Sequence, residues 1–121
     1  MKTRREGTPW ATSDHAAVRV RRLCVQALNL PEWPPAALDD IAARVLSASE
    51  PPRGSEGVLF ALREATRGVG DLRKQLLGAV AYPGWKKEVL AEIGAALTAA
   101  APNSRAPEIV ALREALRELG V

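Results

Sequence analysis

Apolar residues along this chain recur every three or four positions almost from end to end, and nowhere do they alternate with polar ones over a strand's length. That period marks amphipathic helices, and helix breakers cut it into six. The first predicted helix runs from Asp14 to Leu30, with Ser13 or Asp14 as its cap, and stops at Pro31, which lacks the N–H needed to continue it. The second spans Pro35 to Ser49 and turns Leu38, Ile41, Ala42, Val45 and Leu46 to one side. After "PPRGS", Ser55 is placed to cap a third helix with Leu59, Leu62 and Ala65 inward, closed by "RGVG". Asp71 caps a fourth carrying Leu72, Leu76 and Val80. Past "YPG", Trp85, Val89, Ile93 and Leu97 set the period of a fifth. After "APNSRAP" the sixth opens at Pro107 and buries Ile109, Leu112, Leu116 and Leu119 before Gly120. The expected fold is all-α, a compact bundle of six short helices in one domain over residues 1–121, with residues 1–12 as a tail that Trp10 could anchor.

An internal repeat reshapes this picture. "ALREATRGVG" at 61–70 and "ALREALRELG" at 111–120 share seven of ten residues. Other matches fall in the same order: Pro31-x-Trp33 with Pro83-x-Trp85, then Leu38, Asp40 and Ile41 with Leu90, Glu92 and Ile93. "LSAS" at 46–49 meets "LTAA" at 97–100, and upstream "RRLCVQALNLP" lies over "RKQLLGAVAYP" with thinner agreement. The expectation is a duplication: two related three-helix units, about 14–70 and 71–121, each built as helix, Pro-x-Trp corner, helix, loop, helix. The Trp stands five residues before Leu38 or Leu90, the spacing of a hydrophobic staple that fixes the entry angle of the next helix.

Composition narrows the class. Nearly half of the 121 residues are apolar but only five are aromatic, so the core rests on Leu, Val, Ile and Ala, which suits closely packed helices. A single Cys excludes an internal disulfide and a Cys-rich zinc site, and agrees with a reducing compartment. "MKTRREGTPW" is basic but no apolar run of signal length follows, and no segment reaches the roughly 18–20 apolar residues that cross a bilayer. The expectation is a cytoplasmic protein with no membrane partner. Through Arg22 the chain carries six basic and two acidic residues; from Leu23 onward it carries eleven and twelve, so the net +3 is concentrated at one end.

The segment Asp14–Cys24, "DHAAVRVRRLC", holds the only His and the only Cys. On a helix His15 and Cys24 lie two and a half turns apart, roughly 13 Å along the axis and on opposed faces, which excludes a thiolate–imidazole pair. His15 is expected to be solvated and Cys24 to sit at the edge of the core. "RGVGD" lacks the strand and lysine of a phosphate loop. Asp39 and Asp40 diverge by about 100° on a helix and favour its N-terminal dipole instead of sharing a proton. No catalytic residue, cofactor or metal site is expected.

Two surface readings follow. Arg19, Arg22, Gln26 and Asn29 form a polar strip on the first helix that Lys2, Arg4 and Arg5 could extend toward a nucleic-acid backbone. Within that strip Val18 and Val25 stand seven residues apart, an apolar patch bordered by Arg19, Arg21, Arg22 and Gln26, the composition of a helix-mediated protein contact. The second is preferred: a non-enzymatic interaction module, adaptor or regulatory, that assembles with itself or with a protein partner. A small Leu- and Ala-rich bundle of six helices with a charged exterior resembles the death-fold class of recruitment domains, and the helical effector-associated domains of bacterial immune and signalling systems. That resemblance implies pairing of oppositely charged faces, with Arg19, Arg21 and Arg22 on one and Asp39, Asp40 and Glu50 on the other. The duplication departs from it.

Overall fold

The computed structural model describes residues 9–31 and 33–120, with side chains from His15 onward. Six helices follow one another: α1 (Pro9–Leu28), α2 (Pro35–Leu46), α3 (Glu56–Thr66), α4 (Leu72–Ala81), α5 (Lys87–Ala100) and α6 (Pro107–Leu119). Among the described residues there is no strand, so the all-α expectation holds.

Local chemistry sets several of the helix ends. Asp71 caps α4, its Oδ1 accepting from the Lys74 N–H at 3.1 Å. Pro107 opens α6, and Gly120 closes it at φ +77°. Ser55 stands at the start of α3 but is not the predicted cap: its buried hydroxyl donates to the Pro52 carbonyl at 2.6 Å and makes no bond to the helix. α1 begins at Pro9, not Asp14, because proline's preset φ suits a first helical position and the following residues continue the helix. Ser13 and Asp14 are therefore interior to α1, and residues 9–12 are helix, not tail. The Trp10 side chain and the basic residues Lys2, Arg4 and Arg5 lie outside the description. α2 stops at Leu46, short of Ser49, and Trp85 precedes α5 instead of belonging to it.

Trp33 and Trp85 build the same corner twice. The Trp33 indole N–H donates to the Ala27 carbonyl at 2.7 Å, and the Trp85 indole N–H to the Ala79 carbonyl at 2.8 Å. Each carbonyl also accepts a backbone bond three residues on, from Leu30 and from Tyr82. Both indoles are buried, so each satisfies its own N–H while gripping the last turn of the helix before it. Each Trp also stands just outside the N-cap of the next helix, with Leu38 or Leu90 four positions inside it, and all four side chains are buried.

Burial follows the same register. Leu38, Ile41, Ala42 and Val45 of α2 are buried, and so are the residues 52 positions later, Leu90, Ile93, Gly94 and Leu97 of α5. Cys24, Ala27 and Leu28 of α1 match Leu76, Ala79 and Val80 of α4 in the same way. Val45 thus stands over Leu97, where the sequence match sets Leu46. Gly94, the counterpart of Ala42, lets α5 pack tightly on α6: a Cβ there would meet Leu116 Cδ2 at 2.9 Å.

The helix contacts depart from the expected pair of sequential units. α1 packs on α4, α5 and α6 and makes no contact with α2 or α3. α4 packs on α1, α2 and α3 and makes none with α5 or α6. The two compact three-helix bodies are consequently α2–α3–α4 and α5–α6–α1, joined through α1·α4 and α2·α5. Exchanging α1 with α4, α2 with α5 and α3 with α6 leaves this pattern of contacts unchanged. The Pro-x-Trp corners are the two places where the chain passes between bodies, while the other three connections join helices within one. The α4–α5 corner is supported from the α2–α3 loop: Gly84, at φ +107°, lies so close to Pro52 that a Cβ would stand 3.1 Å from it, and Lys86 pairs with Glu50.

Two predictions test the corners. Trp33→Phe and Trp85→Phe keep most of the apolar volume but leave the Ala27 or Ala79 carbonyl with its backbone bond alone, and each should lower stability by about 0.5–1.5 kcal/mol. Trp33→Ala and Trp85→Ala should each lose about 3–5 kcal/mol. Chemical denaturation of the four variants is the measurement, and equal losses at the two corners are expected.

Candidate protein-interaction surface

α1 is enclosed by three helices, so its buried arc is wide. Val20, Leu23, Cys24, Ala27 and Leu28 all face inward, with Cys24 fully buried instead of at the core edge. Burial pushes the Cys24 thiol from 9.0 up to about 12, so its sulfur is a packing atom at neutral pH. His15 is exposed, as expected, and the two residues belong to opposite sides of the helix.

On the outer side the predicted surface residues divide. Val18, Arg21, Arg22, Val25 and Gln26 line one cavity of about 370 Å³, closed on its far side by Ala81 at the end of α4. Val18 and Arg21 also line an adjoining hollow of about 260 Å³ with Ala17, Gly84, Trp85 and Leu90. Val18 is 39 % exposed, and Val25 is half-buried. Together they floor a groove between α1 and the α4–α5 corner. Neither Arg21 nor Arg22 has a carboxylate partner among the described residues, so the two arginines that line this groove are left without an ion pair there. Arg19 does not join them: it reaches α6, where its Nη1 bonds Glu118 Oε1 at 2.6 Å. That pair also interrupts the basic strip proposed for phosphate, leaving Arg22, Gln26 and Asn29 as its exposed members.

Asp39 and Asp40 lie elsewhere, on α2. Asp39 is exposed, and Asp40 takes the Arg44 Nε bond at 3.1 Å. Arg44 also reaches Glu92 of α5 at 3.3 Å, so one guanidinium joins two acids 52 positions apart, Asp40 and Glu92. The Asp40 hydrogen bond and charge, then Glu92, hold Arg44 more firmly in its charged form. Glu50 is tied to Lys86, whose hydrogen bond and charge lower its pKa.

Helices α1, α4, α2 and α5 contact one another in that cyclic order, which puts the α1/α4 and α2/α5 edges on opposite sides. α1 and α4 carry Arg19, Arg21, Arg22, Arg73 and Lys74 against Asp14 alone, whereas α2 and α5 carry Asp39, Asp40, Glu88 and Glu92 against Arg44 and Lys87. One edge is basic and its opposite acidic.

Several features were not found from the sequence. Ala81, Gly84, Trp85 and Leu90, which wall the groove, are about sixty residues from α1, and no local pattern marks them. Phe60 and Val110, at matching positions of α3 and α6, are 60 % and 41 % exposed on outer faces. Arg113 braces the α5–α6 loop, donating to the carbonyls of Ala101 at 2.9 Å, Pro102 at 3.1 Å and Ser104 at 3.4 Å. The hollow of about 490 Å³ beside that loop and Trp33 is thus lined by carbonyls already engaged.

Among the described residues no three His, Cys, Asp or Glu side chains are grouped to hold a metal ion, and no helix is long and apolar enough to cross a membrane. No family model, curated protein or solved structure matches the chain.

The buried thiol gives a pH signature. In the unfolded chain Cys24 ionises near its ordinary 9.0, and in the folded protein near 12. Above pH 9 the unfolded state releases the proton first, so the contribution present below that pH is lost at about 1.4 kcal/mol per pH unit. Comparing wild type with Cys24→Ala between pH 8 and 11 should show a steeper alkaline loss for wild type, and native Cys24 should resist alkylation until the protein unfolds.

Proposed function

We propose that this chain is a non-enzymatic protein-interaction module, an adaptor or regulatory subunit, whose α1 groove receives an acidic amphipathic helix from its partner. The observation that carries this reading is the lining of one groove by Val18, Val25 and Ala81 together with Arg21 and Arg22, two cations with no carboxylate partner among the described residues. A helix presenting an apolar stripe with flanking Asp or Glu would fill the floor and neutralise both guanidiniums. Apolar burial would supply affinity, and the arginines orientation and encounter rate. The opposed acidic edge, with Asp39 exposed, offers a second contact of opposite sign, as the resemblance to death-fold recruitment domains implies. A nucleic-acid backbone is the weaker alternative, because the strip it needs loses Arg19 to Glu118.

Affinity capture with the intact protein, with and without nuclease, tests the class of partner. Under the proposed reading a stoichiometric protein survives nuclease. Val18→Asp with Val25→Asp should reduce its binding at least about a hundredfold, since the two carboxylates replace the apolar floor and, one helical turn from Arg21 and Arg22, take the place of the partner's acids. Raising salt from 0.05 to 0.5 M should weaken it far less than it weakens a phosphate contact. Retention of the partner by the double variant, with helix content unchanged, would remove the groove from the interface.

A further inference from the structure

α1 is remote in sequence from most of what it packs against. Its buried face meets α4, α5 and α6, its ion pair to Glu118 spans 99 residues, and α2, which follows directly, does not touch it. The α5–α6 hairpin is the counterpart of α2–α3, and α1 closes it as α4 closes α2–α3. In the first body the closing helix arrives through a five-residue turn, Arg67–Asp71; in the second it is brought across by the corner at residues 29–34.

We propose that a second copy of this chain can supply that helix. In the exchanged pair, α1 of each copy docks on α4, α5 and α6 of the other, and the two hairpins are closed in trans. The occupant is a copy of the same chain because the docking face is already matched to it: Val20, Leu23, Cys24, Ala27 and Leu28 re-enter their own core positions, and Arg19 meets its own Glu118. No new surface is needed. Only the corner must open, and because α1 has no contact with α2 or α3, straightening it breaks no packing between neighbouring helices. Pro31, Pro34 and Pro35 supply no N–H, so the opened segment cannot simply fuse α1 and α2 into one helix. The Trp33 bond to Ala27 holds the closed form. A short tether gives α1 an effective concentration of about 1 mM for its own hairpin, so exchange competes as the chain concentration approaches that value. The groove is carried along: Ala17, Val18 and Arg21 of one copy would face Gly84, Trp85 and Leu90 of the other, giving two grooves per pair. The inference therefore stands apart from what the groove binds.

The test uses the full chain with Arg19→Lys, which preserves the ion pair and places an amine where carbodiimide can couple it to Glu118. Light and heavy isotope-labelled samples are unfolded, mixed, and refolded at concentrations from about 10 µM to about 1 mM. The monomer gives the coupled peptide pair with both halves of one label. The expected result is a dimer whose fraction rises with refolding concentration, yielding pairs that join a light position 19 to a heavy Glu118. Refolding to monomer alone at every concentration overturns the exchange. So does a dimer whose pairs all carry one label, which would be association through surfaces. The same experiment on Val18→Asp with Val25→Asp separates the two proposals, because exchange survives those substitutions and groove binding does not.

Discussion

A hydrogen bond from a buried indole to the carbonyl of a finishing helix governs how this chain is laid out. Where Pro31 and Pro83 stop α1 and α4, the Ala27 and Ala79 carbonyls keep one backbone partner each and need, for the second lone pair, a partner that a buried corner cannot take from water. Trp33 and Trp85 provide one each and add a large apolar surface at the point of turning. The corner then sets the direction of the following helix through Leu38 or Leu90. Because both corners cross between bodies, the interleaved arrangement of α1 and α4 rests on them, and so does the groove, one wall of which is Trp85 itself.

Most of the secondary structure could be read from the sequence because the signals were local. Proline at a first helical position, Asp71 three residues before the N–H it caps, and Gly120 in a left-handed turn each act within one turn of helix. The matching Pro-x-Trp corners were legible for the same reason, through Pro, Trp and the helical register of Leu and Ile. What could not be read was which helix touches which. Nothing in "RRLCVQAL" distinguishes a face meant for α2 from one meant for α6, since both are arcs of small and branched apolar residues. Cys24 illustrates the consequence: placed at the edge of a narrow arc, it becomes central once three helices surround α1. The surface behaved likewise. Val18, Val25, Arg21, Arg22 and Gln26 were visible as one side of a helix, but the loss of Arg19 to Glu118, and the walls supplied by Ala81 and Trp85, depend on contacts made far along the chain.

Charge is arranged on a larger scale than any single pair. The exposed ion pairs contribute little to stability individually. Their distribution nevertheless makes the α1/α4 edge basic and the α2/α5 edge acidic, so two copies meeting through the same edge would repel, and contacts between unlike edges are favoured. Arg44 moderates the acidic side by joining Asp40 and Glu92 across the seam, and the charge of Glu88 acts on Lys86, which leaves Asp39 as the carboxylate of α2 and α5 without a partner among the described residues. Among the described residues the basic side has no comparable counter-charge at Arg21 and Arg22.

The distance between α1 and α6 along the chain has a consequence for synthesis. During translation α1 emerges first, yet the helices that cover it, α5 and α6, are made last. At about 5–20 residues per second, several seconds pass in which its apolar arc has no native partner. The contiguous body α2–α3–α4 can assemble during that interval, and α4 offers α1 a provisional seat. The remainder of its surface waits on the ribosome, a period in which chaperones, or the nascent helix of a neighbouring polysome-bound chain, compete for the same residues.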